Sequence, residues 1–190
     1  MIEKVQNIVL DLDQTLISAE SIDAETTAEN FVKYLTKAHL FKFIVFEMNY
    51  IVFERPGLQK FLDYLFSNFN VSVWTAATKD YALFIAEKII IAGRPERKLD
   101  CILFNEQCNY SIFLGAGMKN LKLLSNVYGL TNYRVDNTII IDDLPEVHSV
   151  QPNNGILIRP FYFAEKDSEN DNQLAAVQAT LESHKIDKFK

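Results

Sequence analysis

Short apolar runs that each stop at polar or small residues recur along this chain, and helical patterns separate them. That alternation limits the fold more than any other feature. Asn7 to Leu10, Val71 to Trp74, Cys101 to Phe104, Thr138 to Ile141 and Ile156 to Ile158 are continuous rather than alternating, which suits strands buried on both faces. Between them, Leu58, Phe61, Leu62, Leu65, Phe66 and Phe69 repeat at the spacing of one buried helical face. A second helix is expected over Asp80 to Ile91. A third is expected over Lys119 to Tyr128, with Leu121, Leu124 and Val127 inward and Gly129 placed for a left-handed C-cap. Ala164 to Asn172 is polar and acidic and reads as a loop before a terminal helix over Gln173 to His184. Strand, helix and strand in repetition predict an α/β fold with a mainly parallel sheet. Phe41 to Phe46 and Tyr50 to Phe53, separated by Glu47, Met48 and Asn49, read as a small hairpin added to that core.

At 190 residues the chain is expected to form one domain spanning 1–190. Hydrophobic residues at 48% and charged residues at 23% are ordinary for a globular protein. A net charge of -6 argues against direct nucleic-acid binding through a basic surface, so an anionic substrate has to be held locally. Met1 to Lys4 lack the start of a signal peptide, and no apolar run reaches a membrane span. A soluble intracellular chain, nuclear or cytoplasmic, is the expectation, with no membrane partner. Cys101 and Cys108 read as ordinary thiols, and His39, His148 and His184, scattered without ligand spacing, as structural or surface residues.

In open α/β sheets ligands bind beyond the carboxyl ends of the strands. The first run leads into Asp11, Leu12, Asp13, Gln14 and Thr15, the second into Thr75, Ala76 and Ala77, and the fourth into Asp142 and Asp143. One carboxylate after a strand is commonly a turn former. Four at two strand ends repel one another unless a cation sits among them, and an all-oxygen set favours Mg²⁺. A carboxylate facing phosphorus can attack it while a second protonates the leaving oxygen and later activates water. A hydroxyl and an ammonium can serve the equatorial oxygens of the transferring group, and Thr75 and Lys119 fit those roles.

Taken in order, Asp-x-Asp-x-Thr, a strand-terminal Thr, a Lys at a helix start and Asp-Asp after an apolar strand are similar to the haloacid dehalogenase superfamily. A receiver domain uses the same residue types, but its acidic pair precedes a phosphorylated Asp on a later strand. Within the superfamily the chain resembles the small RNA polymerase II C-terminal-domain phosphatases, or NLI-interacting-factor-like phosphatase domain. The resemblance rests on Asp11 to Leu16, Arg55-Pro56-Gly57, Val73 to Ala77 with Tyr81, Leu103 to Cys108, Lys119-Asn120-Leu121, Ile141 to Pro145 and Gln151 to Gly155. It implies a three-layer haloacid-dehalogenase-like sandwich without a large cap domain. It implies an aspartyl-phosphate mechanism with Asp11 as nucleophile and Asp13 as general acid and base, and Thr75 and Lys119 on the phosphoryl group. Mg²⁺ is implied on Asp11, the Asp13 carbonyl and Asp143, with Asp142 in the same cluster. The implied substrate is a phosphorylated protein or peptide. Gln14 stands where the family usually has Glu, Asn120 where Asp is common, and Gly115 to Gly117 replace the usual approach to the Lys. The aromatic residue that lines a proline pocket in the family has no counterpart near Ser18 to Ser21. An inactive peptide-docking module of the same fold and a nucleic-acid end phosphatase are the alternative functions. The hairpin over Phe41 to Phe53 either packs on the core or walls an open substrate groove.

Overall fold

The computed structural model describes residues 5–22, 32 and 36–186, and the side chains of 184–186 are not included. The segment Met1 to Lys4 and the His184 side chain therefore lie outside the described residues.

Five parallel strands form the central sheet: β1 (Asn7–Leu10), β5 (Asn70–Trp74), β6 (Leu99–Leu103), β7 (Thr138–Asp142) and β8 (Gly155–Leu157). Their order is β6-β5-β1-β7-β8. β1 is central, with Leu10 paired to Val73 on one side and to Ile141 on the other. The chain builds outward from β1 through β5 to β6, then returns to β1's other edge for β7 and β8, so the order reverses beside β1. A crevice at the carboxyl ends follows from such a reversal.

Side chains alternate between the two faces, as a two-residue period requires. Ile8, Leu10, Val71, Val73, Ile139 and Ile141 enter one core with Leu58, Phe61, Leu62 and Leu65 of α1 (Leu58–Asn68) and with Leu174, Val177 and Leu181 of the terminal helix. Val9, Trp74 and Ile140 enter the opposite core with Cys108, Leu121, Leu124 and Val147. Three layers result, and each fully buried Leu, Ile or Phe contributes about 1.5–3 kcal/mol of transfer free energy.

The second expected helix begins as α2 (Lys79–Ile85) and widens into a π-helical segment, Ala86–Ile91. Carbonyls there accept from side chains: Ile89 O from Gln59 Nε2 at 3.2 Å and Ile90 O from the buried Arg97 at 2.7 Å. The expected Lys119 to Tyr128 helix shrinks to α4 (Lys122–Asn126). Lys119 is thus not at a helix start; it sits in the preceding turn with φ 53°. The terminal helix, α6, covers Gln173–Ile186. Two unanticipated helices appear, α3 (Asn105–Phe113) and α5 (Pro145–Val150). The expected hairpin is larger than a hairpin: β2 (Ile17–Ser21) pairs with β4 (Tyr50–Glu54), which pairs with β3 (Phe43–Phe46), giving an antiparallel three-stranded sheet. No helix among the described residues is long and apolar enough to cross a membrane. Cys101 and Cys108 are free thiols.

Candidate active site

The face alternation carries through the strand ends. Asp11 follows Val9, and Asp142 follows Ile140, on the side of the sheet where Leu121 packs. Lys119 comes from that side, fully buried, and its Nζ donates to Asp11 Oδ1 at 2.5 Å and to Asp142 Oδ2 at 2.7 Å. Asp142 Oδ1 accepts from Leu144 N at 2.9 Å, and Thr15 Oγ1 donates to Asp143 Oδ1 at 3.3 Å. Asp11, Asp142 and Asp143 each present a carboxylate oxygen within 4.8 Å of the others, and all three are buried. Asp13 stands beside this trio; its Oδ1 accepts from Tyr81 Oη at 2.9 Å. Thr75, directly after β5, is buried, and its Oγ1 accepts from Ala77 N at 3.1 Å, which tightens the turn it begins.

Electrostatics follow from that inventory. Burial would depress the Lys119 pKa, but Asp11 and Asp142 outweigh it and hold the group above the ordinary lysine range, so it is an ammonium. One ammonium cannot balance four carboxylates. Burial, and then the charge on Asp11, push Asp13 up to about 6 and Asp142 up to about 7. Asp143 moves up for the same two reasons. Carboxylates raised first by burial and then further by one another's charge form a cluster short of positive charge. An all-oxygen, under-neutralised trio of this kind fits Mg²⁺.

Two supports hold the site, and neither was read from the sequence as having a role. The buried Arg55 donates from Nε and Nη2 to Asp171 Oδ1 and Oδ2 at 2.8 and 2.9 Å, and from Nη1 to Thr15 O at 2.9 Å. Phe161 N donates to Gln14 O at 2.7 Å. The loop after β1 is thereby tied to the segment before α6. Gln151 does the same for Lys119: its Nε2 donates to Lys119 O at 3.1 Å and its Oε1 accepts from Leu121 N at 3.0 Å. Gly117 explains part of the unusual Gly-Ala-Gly run, because a Cβ there would meet Val150 Cγ2 at 2.6 Å and its φ is +80°. Sequence motifs contained Arg55, Tyr81 and Gln151; only Asp171 carried no signal at all, since an acidic residue in a polar loop is unremarkable.

The histidines, expected as structural or surface residues, do not join the site where they are described. His39 is exposed and His148 half-buried, and neither belongs to the one metal-sized cluster found among the described residues. Of the three-stranded sheet, Phe46 reaches the neighbourhood of the site, its ring 5.3 Å from that of Tyr81 and 4.9 Å from that of Phe84.

Comparison with known proteins identifies the family and the fold. The family described as NLI interacting factor-like phosphatase matches residues 6–190. A putative CTD phosphatase-like protein of Invertebrate iridescent virus 6 is 42% identical over 183 residues, covering 95% of this chain and 99% of the relative. Its counterpart in Invertebrate iridescent virus 3 is 40% identical over 187 residues, covering 96% and 98%. Among solved structures, the RNA polymerase II CTD phosphatase Fcp1 superposes with a TM-score of 0.64 at 18% identity, covering 97% of this chain and 63% of that one. A haloacid dehalogenase-like hydrolase from Streptococcus pneumoniae superposes with a TM-score of 0.52 at 13% identity, covering 95% and 99%. The expected haloacid-dehalogenase-like α/β fold is thus the observed one.

Proposed function

This chain belongs to the NLI interacting factor-like phosphatase family, and from that premise we propose that it is a Mg²⁺-dependent phosphoserine/phosphothreonine phosphatase acting on protein through a phosphate ester of Asp11. The observation that carries the reading is the buried trio Asp11, Asp142 and Asp143 with one ammonium on it and Asp13 alongside.

Asp11, the Asp13 carbonyl and Asp143 would hold the ion, with Asp142 adding charge and anchoring Lys119. Bound there, Mg²⁺ supplies charge neutralisation for the carboxylates and for the phosphoryl oxygens. The rest is done by the chain. Asp11 attacks phosphorus, and the P–O bond to the substrate oxygen breaks as Asp13 delivers a proton to that oxygen. Asp13, now a carboxylate, takes a proton from water as the water oxygen bonds to phosphorus and the acyl phosphate opens, which restores Asp11. Lys119 keeps Asp11 oriented, and together with Thr75 it offers a donor to the transferring group.

Protein is the favoured substrate because, between Thr15 and Trp74, the described residues form the three-stranded sheet, α1, β5 and helical positions at Val32 and at Thr36 to Ala38, and none of these makes a separate cap domain over a small molecule. Binding energy then has to come from contacts beyond the phosphate. The test is a panel of phosphopeptides, including polymerase-tail repeats phosphorylated on different serines, beside sugar phosphates and nucleotides. Phosphate release from a phosphopeptide should stop on chelation, and Asp143→Ala should raise the Mg²⁺ needed. A sugar phosphate or nucleotide preferred over every phosphopeptide, or turnover that survives exhaustive chelation, would refute the reading. A docking module would release no phosphate from any of them.

A further inference from the structure

We propose that Tyr81 is a positioning residue that fixes which oxygen of Asp13 carries the transferred proton. The proposal rests on the reading of Asp13 as the acid and base, and goes beyond it by assigning its two oxygens different duties.

The phenol O–H donates to Asp13 Oδ1 at 2.9 Å. The carbonyl oxygen of a protonated carboxyl group is its stronger acceptor, so this bond favours Oδ1 as the carbonyl and the hydrogen on Oδ2. Without the phenol the carboxyl group is free to place the hydrogen on either oxygen and to rotate about its terminal torsion, which is broad. With it, one oxygen is held as an acceptor and the acid is oriented before substrate arrives, the kind of preorganisation that acid catalysis needs.

The ring is in turn held. Tyr81 lies in α2 and is buried in the core that contains Leu10 and Val73. Phe46 from β3 meets it edge-on, with planes at 82°. Phe46 also rests on Phe84, one turn further along α2. The small sheet therefore reaches the acid and base through a chain of contacts: Phe46 to the Tyr81 ring, and the Tyr81 hydroxyl to Asp13.

In the proposed reaction Tyr81 keeps its own proton throughout. Asp13 Oδ2 gives its proton to the departing serine oxygen while the bond from Asp11 to phosphorus forms, and regains one from the attacking water. Oδ1 accepts from the phenol in both steps.

The experiment compares Tyr81→Phe with the unaltered protein on two substrates, a phosphoserine peptide and p-nitrophenyl phosphate. An alkoxide leaving group needs a proton in the transition state, whereas nitrophenolate departs without one. Because kcat/KM reports the chemistry up to loss of the leaving group, Tyr81→Phe should lower it by about 10-fold or more on the peptide and far less on the aryl ester. KM for the peptide and the Tm should change little, since the ring remains. Phe84→Leu, which loosens the same packing but leaves the phenol in place, should lower Tm without altering the ratio between substrates. Equal losses on both substrates, or none, for Tyr81→Phe would overturn the proposal. Asp13→Asn separates the two levels. If it shows the leaving-group dependence and Tyr81→Phe does not, only the inference about Tyr81 falls. If Asp13→Asn shows none, the acid–base reading itself falls, and this inference with it.

Discussion

β1 is four residues long, and its two ends are built on opposite terms. Beside its first residue, Asn7 Nδ2 donates to Asn132 O at 2.8 Å and to Asn137 Oδ1 at 3.0 Å, while Asn70 Nδ2 donates to Asn7 Oδ1 at 3.0 Å. Asn154 Nδ2 closes the network on Thr138 O at 2.8 Å. Every group there is neutral, and donors match acceptors. Immediately past its last residue, Asp11 joins Asp142 and Asp143 around a single ammonium, and Asp13 carries a raised pKa of about 6. The same three strands, β5, β1 and β7, bound both ends. A satisfied amide network holds strands in register and asks nothing of a ligand, whereas an under-neutralised carboxylate cluster costs stability until a cation arrives. Stability and reactivity are thus separated along about 13 Å of strand.

The sharpest way to break this comparison is Asp11→Asn. Turnover should fall by at least ~10⁴-fold, because an amide is a poor nucleophile toward phosphorus, while peptide binding persists. Tm without Mg²⁺ should hold or rise, since one like charge has been removed. Near-normal turnover would end the contrast at its reactive end.

The opposite substitution is Asn7→Leu. It removes one partner from several buried bonds and should cost about 2–3 kcal/mol in a denaturant titration, with kcat per folded molecule unchanged. A fall in kcat at full folding would mean that the two ends are not separable.

The smallest effect concerns pH. Asp13 and Asp142 have folded pKa values raised to about 6 and about 7, above those of an unfolded Asp. The folded chain therefore binds protons more tightly, and the stability these groups confer is complete below about pH 4 and lost as pH rises through about 6 to 7. Mg²⁺ offsets that loss, so the gain in Tm on adding it should be larger at about pH 8 than at about pH 5, corresponding to roughly 1–2 kcal/mol when the ion is well above its Kd. An equal gain at both would show that the cluster is not short of positive charge.

The contrast also explains what the sequence made legible. Carboxylates directly after continuous apolar runs mark the reactive end, because buried parallel strands leave a pattern that survives without tertiary information. Lys119 was harder, since its burial is set by Gln151, which clamps the turn from 32 residues away. The amide end was silent: Asn residues near strand ends look like ordinary turn formers. α3 was missed because Tyr110, Ile112 and Phe113 face outward while Cys108 and Ser111 are buried, which reverses the usual polarity of a helix face. α5 is a single short segment with Val147 inward. β2 escaped because Ser18 and Glu20 interrupt its apolar pattern, and its partner β4 lies about thirty residues on.

The central claim is that Asp11 carries the phosphoryl group between substrate and water. A borohydride quench during turnover reduces an acyl phosphate to an alcohol, so the treated protein can be digested and its peptides weighed. The account predicts homoserine at position 11, formed only when phosphopeptide and Mg²⁺ are both present and absent from Asp11→Asn. Reduction at another carboxylate, or an unmodified Asp11 in protein quenched while rapidly releasing phosphate, would contradict it.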